Sequence, residues 1–327
     1  MKEFLDYDIK YPDLVLQILE FFEVKGDQPD KTVGAFCGQF KVPLGEKPLQ
    51  ADIVSRICDR LCNKRIMVCS ARKGYGGIMD TYYCKPNEKI KQERFRDLYV
   101  HRYNSYVYGF EYIYRSYKPR TLPIVAMISG EQSLGSCFRI YDGVATAKQC
   151  LVNGSPIAIK GYSKEQLEQY PVFVSKNPDI DLAFIHTGEK FIFNEGEPHV
   201  LDNVLVMGYP KVPFFINFCT GEKATVSAMA DLRFTPTIGS VAAEGEIYYP
   251  RGLPKMLLVT ARISGGNSGG PVVNEEGYVV GIATSAPAGE GKSDDHVGYG
   301  IAYPIQVLDE VIKENHTMQV EFADFPE

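Results

Sequence analysis

The chain has 327 residues, of which 45% are hydrophobic and 23% charged, with a formal net charge of −6, which fits an ordinary globular protein of two or so domains. The opening Met1-Lys2-Glu3-Phe4-Leu5-Asp6-Tyr7-Asp8 has no apolar core and no stretch approaches the ~20 apolar residues of a membrane-spanning helix, so neither a secretory leader nor a transmembrane helix is expected, whereas a cytoplasmic location is. The charge is uneven: 21 Lys+Arg against 16 Asp+Glu over residues 1–120, and 14 against 25 over the rest, so only the first part suits an acidic partner such as nucleic acid.

The first 86 residues read as a small α+β unit. Leu14, Leu16, Ile18, Leu19 and Phe22 predict an amphipathic helix over Asp13–Phe22, followed by helices over Lys31–Phe40 and Leu49–Asn63. The period then changes. Arg65–Cys69 and Ile78–Cys84 read as strands joined by the Gly-rich, basic tip Arg72-Lys73-Gly74-Tyr75-Gly76-Gly77, which is hairpin chemistry. Three helices and a hairpin resemble a winged helix-turn-helix. That resemblance implies either duplex DNA binding, with phosphate contacts from Arg56, Arg60, Lys64, Arg65, Arg72 and Lys73, or the same fold used for contact with a regulatory protein. Asp52, Asp59 and Asp80 interrupt the basic set, which favours the protein contact.

Cys58, Cys62, Cys69 and Cys84 lack the spacing of a zinc knuckle and sit among Ile, Leu and Val, so core packing is expected, with no metal and no cofactor. Residues 87–120 form a charged, tyrosine-rich connection. Phe95, Leu98, Tyr99, Tyr103, Tyr106 and Phe110 recur with helical spacing, so a connecting helix that packs its aromatic stripe is expected rather than a base-stacking surface.

From residue 121 short strands and Gly/Pro turns replace helical patterns. Val172–Val174, Leu182–Ile185, Val204–Met207, Met256–Val259 and Val279–Ile282 are natural core strands of an all-β domain over residues 121–315. Ile305, Leu308, Val311 and Ile312 then predict a C-terminal helix from Gln306 to Glu314, and residues 316–327 are left as a tail.

Three motifs lie within this domain. Gly265-Gly266-Asn267-Ser268-Gly269-Gly270-Pro271 holds a serine between glycines, whose conformational freedom lets the amides of Gly266 and Ser268 point at one developing oxyanion. Upstream are Thr146-Ala147-Lys148-Gln149-Cys150 and Asp179-Ile180-Asp181-Leu182. Their order resembles base, acid and nucleophile in the trypsin-like serine proteases, and Gly300-Ile301-Ala302-Tyr303-Pro304-Ile305 is similar to the last strand of the bacterial HtrA-type branch. The resemblance covers roughly the last 200 residues and no PDZ module is expected after them. It implies a double β-barrel, Ser268 as nucleophile, Asp181 as orienting acid and a polypeptide substrate. It also implies Thr284, Ser285 and Ala286 as a substrate-pairing strand, Arg262 at the specificity pocket, and Cys137 and Cys150 near a disulfide position of secreted relatives, here expected as free thiols. The expected architecture is thus an α+β winged helix followed by an all-β double barrel with a C-terminal helix.

The departure is Gln149, which stands where the family carries histidine. A carboxamide has no usable basicity, so it can neither accept the serine proton nor return it to the leaving amine. Nothing in the spacing of His101, His186, His199, His296 or His316 aims a substitute at Ser268. Two functions follow: a serine endopeptidase that has lost its base, or a pseudoprotease that uses the cleft to sense peptides, as the sensor of a winged-helix regulator.

Overall fold

The computed structural model describes residues 7–24, 31–42, 47–73, 75–87, 92–128, 131–152, 156–191, 194–210, 232–245, 254–284 and 299–326. The chain divides into two compact units, Met1–Ile113 and Tyr114–Glu327.

The first unit contains α1 (Tyr7–Lys10), α2 (Leu14–Phe22), α3 (Val33–Gln39), α4 (Ala51–Asn63), the antiparallel pair β1 (Met67–Ala71) and β2 (Thr81–Cys84), and α5 (Glu93–Tyr108). The expected helices appear, each starting one or two residues later than the hydrophobic period suggested. Leu14, Ile18, Phe22, Val54, Ile57 and Leu61 build the core. Tyr103, Val107 and Tyr108 of α5 join that core, so most of the expected connecting helix belongs to the first unit. Gly109, at φ 67, ends α5 and a second helix follows, α6 (Phe110–Tyr117). That left-handed backbone breaks what the pattern presents as one continuous helix. The hairpin is fastened to α4: Ser55 donates to Asp80, and a Cβ on Gly77 would lie 2.6 Å from that of Ser55.

The second unit is built from two sheets. One runs in the order β16-β7-β8-β5-β4-β3-β6, from β3 (Thr121–Ile128), β4 (Glu131–Ile140), β5 (Gly143–Thr146), β6 (Ile157–Ile159), β7 (Val172–Val174), β8 (Ala183–Ile185) and β16 (Thr317–Met318). A short helix, α7 (Lys164–Leu167), sits between β6 and β7 behind a Ser163–Gln166 capping box. The other comprises β9 (Asn194–Glu195), β10 (Asn203–Gly208), β11 (Thr235–Gly245), β12 (Met256–Val259), β13 (Pro271–Asn274), β14 (Tyr278–Thr284) and β15 (Gly300–Pro304). Its order is β13-β10-β11-β12-β15-β14-β9, and pairing of β13 with β14 closes six strands into a barrel. Each sheet encloses its own apolar core, around Ile157, Ile159 and Ile185 in the first and Val206, Leu257 and Val280 in the second. This is the expected double-barrel arrangement, with α8 (Gln306–Glu314) as the C-terminal helix burying Val307, Leu308 and Val311.

The segment expected as a tail is a structural part of the first sheet. Thr317 and Met318 pair with Phe173 and Val172 at one edge. At the other edge Ile157 donates to the carbonyl of Glu321 at 2.8 Å and accepts from Ala323 at 2.9 Å, with Phe322 3% exposed between them. The segment thereby satisfies both open edges of a sheet that would otherwise present unpaired backbone groups. Truncating its anchor tests this role: Phe322→Ala should destabilise the second unit by about 3–5 kcal/mol in chemical denaturation and leave the unfolding of the first unit in place.

Candidate active site

The serine turn precedes β13, and its conformation depends on two glycines: Gly266 at φ 99 and Gly269 at φ 85. The turn closes on itself through Asn267 donating to the carbonyl of Ser264 and Gly270 donating to that of Asn267, both at 2.9 Å. It is stitched to β14 by Gly269 donating to Ala283 at 2.7 Å and Ala283 to Gly270 at 2.9 Å. There is no room for side chains here. A Cβ at residue 269 would lie 2.1 Å from the carbonyl oxygen of Ser136, and one at residue 270 would lie 2.0 Å from that of Met207.

Gln149 lies in a single 3-10 turn, Lys148–Cys150, that follows β5, and Asp181 lies just before β8. Both oxygens of Asp181 are occupied: the Gln149 amide donates to Oδ1 at 2.7 Å, while Gln149 Nε2 at 2.7 Å and Thr284 Oγ1 at 2.6 Å donate to Oδ2. Main-chain bonds fix the carboxylate from behind, since Asp181 N donates to Tyr303 Oη at 3.2 Å and that hydroxyl donates to Asp179 O at 3.4 Å. Nε2 must be the atom on Asp181, because the amide oxygen would oppose a carboxylate there, so Oε1 is turned away from the acid. Burial raises the Asp181 pKa above the ordinary carboxylate range, and the bonds from Thr284 and Gln149 pull it back down.

A cleft of about 180 Å³ brings the expected residues together: Gln149, Gly266 and Ser268 line it with Gly135, Cys150 and Leu134. Ser268 itself is 6% exposed. Cys150, whose thiol burial pushes up to about 12, donates to the carbonyl of Ser268 at 3.4 Å, and both Cys137 and Cys150 are free thiols. The Ser268 turn thus shares its cleft with Gln149, whose side-chain amide reaches the shielded carboxylate and carries no basic lone pair.

Other expected residues lie elsewhere. Thr284, in the strand expected to pair with substrate through its main chain, is buried and its hydroxyl serves Asp181. Ser285 and Ala286 lie outside the described residues, as does His296. Arg262 is exposed rather than sunk in a pocket, its carbonyl accepting from Thr237 at 2.8 Å, while Ile263 fills the space beside Gly300. None of the four described histidines lines the cleft: His186 faces Asp142 at 3.3 Å, His199 faces Asp202 at 3.5 Å, His101 faces Tyr112 at 3.3 Å and His316 is exposed. Among the described residues no group of three or more His, Cys, Asp or Glu is placed to hold a metal, and burial raises the thiols of Cys58, Cys62 and Cys84, the last two to about 11.

In the first unit most of the expected phosphate-contacting cations are engaged within the fold. Arg72 bonds Asp59 at 2.7 Å, Arg56 pairs with Asp52 at 3.7 Å, Arg60 donates to the carbonyl of Val107, and Lys64 lies over the ring of Tyr106 at 5.6 Å. Arg65 takes the left-handed backbone, φ 58, that turns α4 into β1, and Lys73 is exposed with its amide on Asp80.

The sequence reading missed Ser136, which grips the serine turn, and Tyr303, which holds the Asp179–Asp181 loop. Ser136 stands in a Gly-Ser-Cys run whose only local signal is a pair of small residues entering an apolar strand.

The protonation of Asp181 gives a pH test of this network. Its raised folded-state pKa means that its favourable contribution is complete below the unfolded value of 3.8 and is lost as pH rises through the folded value. Thr284→Val removes a bond that stabilises the charged form, raising that pKa further. Its cost should therefore be small in acid and grow to about 1–3 kcal/mol at neutral pH, read from denaturant midpoints across pH.

The trypsin-like peptidase domain family matches residues 135–282. The chain is 26% identical over 179 residues to Protease Do-like 2, chloroplastic, of Arabidopsis thaliana, an alignment covering 52% of this chain and 26% of that protein, so it spans about a quarter of that relative's length. Among solved structures it is similar to the active form of the Rv3671c protease from M. tuberculosis, at 18% identity and a TM-score of 0.45 over 64% of this chain and 88% of that one. It is also similar to the HtrA-type protease AlgW with tripeptide, at 22% identity and a TM-score of 0.44 over 62% of each chain. Gln149, Asp181 and the serine turn all lie inside the segment that matches the trypsin-like peptidase domain family.

Proposed function

We propose that this chain has the nucleophile and peptide-binding cleft of a trypsin-like serine endopeptidase and that Gln149 makes it nearly inert. The observation that carries the reading is the bond from Gln149 Nε2 to Asp181 at 2.7 Å. Gln149 occupies the position of the imidazole, keeps its bond to the acid and lines the same cleft as Ser268. In peptide hydrolysis the serine hydroxyl must lose its proton as the oxygen attacks the carbonyl carbon, and the leaving amine must gain one as the C–N bond breaks. An amide can do neither, so what remains is the roughly 10³- to 10⁴-fold acceleration over water that a binding cleft and oxyanion donors supply without a complete triad.

A second reading is a pseudoprotease that binds polypeptide as a sensor. It is supported by the Asp181 shell, in which Gln149 and Thr284 between them donate to both oxygens. One variant separates the two. Gln149→His should yield peptide cleavage raised at least about 10²-fold on a broad peptide library and abolished by Ser268→Ala. Persistent inactivity of a folded Gln149→His protein that still binds peptide would establish the sensor.

The first unit is read as a winged-helix-like module that recruits a regulatory protein rather than DNA, in a cytoplasmic protein. Support comes from the engagement of Arg56, Arg60, Lys64 and Arg72, four of the six cations expected at phosphates, within the fold. Among the described residues no helix is long and apolar enough to cross a membrane. In a gel-shift series at about 150 mM salt, duplex DNA should not be retained; retention that weakens steeply with salt would return the module to the DNA-binding class.

A further inference from the structure

We infer that Ser136 is the positioning residue that holds the nucleophile turn in its working shape. The inference rests on reading Ser268 as the nucleophile. Ser136 lies in β4, fully buried, and every polar atom it owns is in use. Its amide donates to the carbonyl of Ser268 at 2.9 Å, and its hydroxyl donates to the carbonyl of Gly266 at 2.7 Å. The hydroxyl is itself oriented by the Tyr209 amide, which donates to it at 2.8 Å, and the Ser136 carbonyl accepts from Thr146 at 2.8 Å.

These bonds grip two residues of the turn on either side of Asn267, and they are the two that would supply the reacting hydroxyl and the oxyanion amides. Rotation of the Gly266–Asn267 peptide would break the hydroxyl bond and strand a buried carbonyl, so the Ser136 side chain is what anchors that peptide to β4. The serine turn contacts β4 too closely to shift as a body, because the position of a Cβ on Gly269 is already taken by the Ser136 carbonyl. Local peptide rotation is therefore the motion left to suppress, and the hydroxyl suppresses it from the carbonyl end while the Asn267 amide, on Ser264, holds the other end. Ser136→Ala deletes that hydroxyl while keeping both main-chain bonds.

The test is made in the Gln149→His background, reading the rate at which a fluorophosphonate modifies Ser268 together with kcat and KM on a cleaved peptide. Ser136→Ala should slow modification and lower kcat by about 10- to 100-fold with KM within about twofold, since misplacement of a reacting group by about an ångström costs about that much. Ser136→Thr, which keeps the hydroxyl, should recover the rate to within about threefold. A folded Ser136→Ala protein that reacts as fast as its parent overturns the inference. Amide exchange on the otherwise unaltered chain decides it independently of catalysis: Ser136→Ala should speed exchange at Asn267 and Gly270 by about tenfold or more while β3 stays protected, and unchanged exchange there also overturns it. If the Gln149→His background never reacts, the reading of Ser268 as nucleophile fails, and the exchange result alone judges Ser136.

Discussion

The constraint on which the second unit's candidate site depends is the seating of the serine turn against two strands at van der Waals limits. Gly269 faces the backbone of Ser136 and Gly270 faces that of Met207, at separations where no Cβ fits. Glycine at these positions is therefore required by space as well as by backbone angle. The contact ties β4 of the first sheet to β10 and β13 of the second, and it fixes the depth at which Ser268 sits. Cys150 and Gly135 extend the same contact, since the Cys150 sulfur occupies the space that a side chain at residue 135 would need.

Against that frame the Asp181 shell shows how a hydrogen-bond role and a proton-transfer role can separate. A buried carboxylate must be satisfied, and Gln149, Thr284 and the main chain satisfy it. Gln149 meets the geometric demand that an imidazole would meet on the Asp181 side, because its Nε2 donates just as a ring N–H would. It fails on the serine side, where basicity rather than bonding is needed. The amide thus satisfies the carboxylate while offering Ser268 no basic atom.

The first unit shows a similar gap between residue content and use. Arg56, Arg60, Lys64 and Arg72 look like a phosphate-binding set when read in line, yet each has a partner in the folded unit. The Asp59 that breaks the basic run is the residue that takes Arg72, and it also accepts from Tyr82 at 2.9 Å. Charge along the chain therefore overstates what the surface offers a polyanion.

The sequence by itself determined the elements whose cause is local. Apolar periodicity marked α2, α4 and α8, the change of period marked the barrel strands, and the glycines around Ser268 with Asp181 and Gln149 marked the candidate site. Only the tertiary structure decided what those residues touch. It gave the Thr284 hydroxyl to Asp181, put Arg262 at the surface, broke the tyrosine-rich helix at Gly109, and used residues 317–323 to close the first sheet. It also brought Ser136 to a turn 130 residues away in the chain. The reason is physical: period and propensity act over one or two turns of backbone, whereas burial and hydrogen-bond satisfaction are settled between segments far apart in sequence, and no spacing along the chain records them.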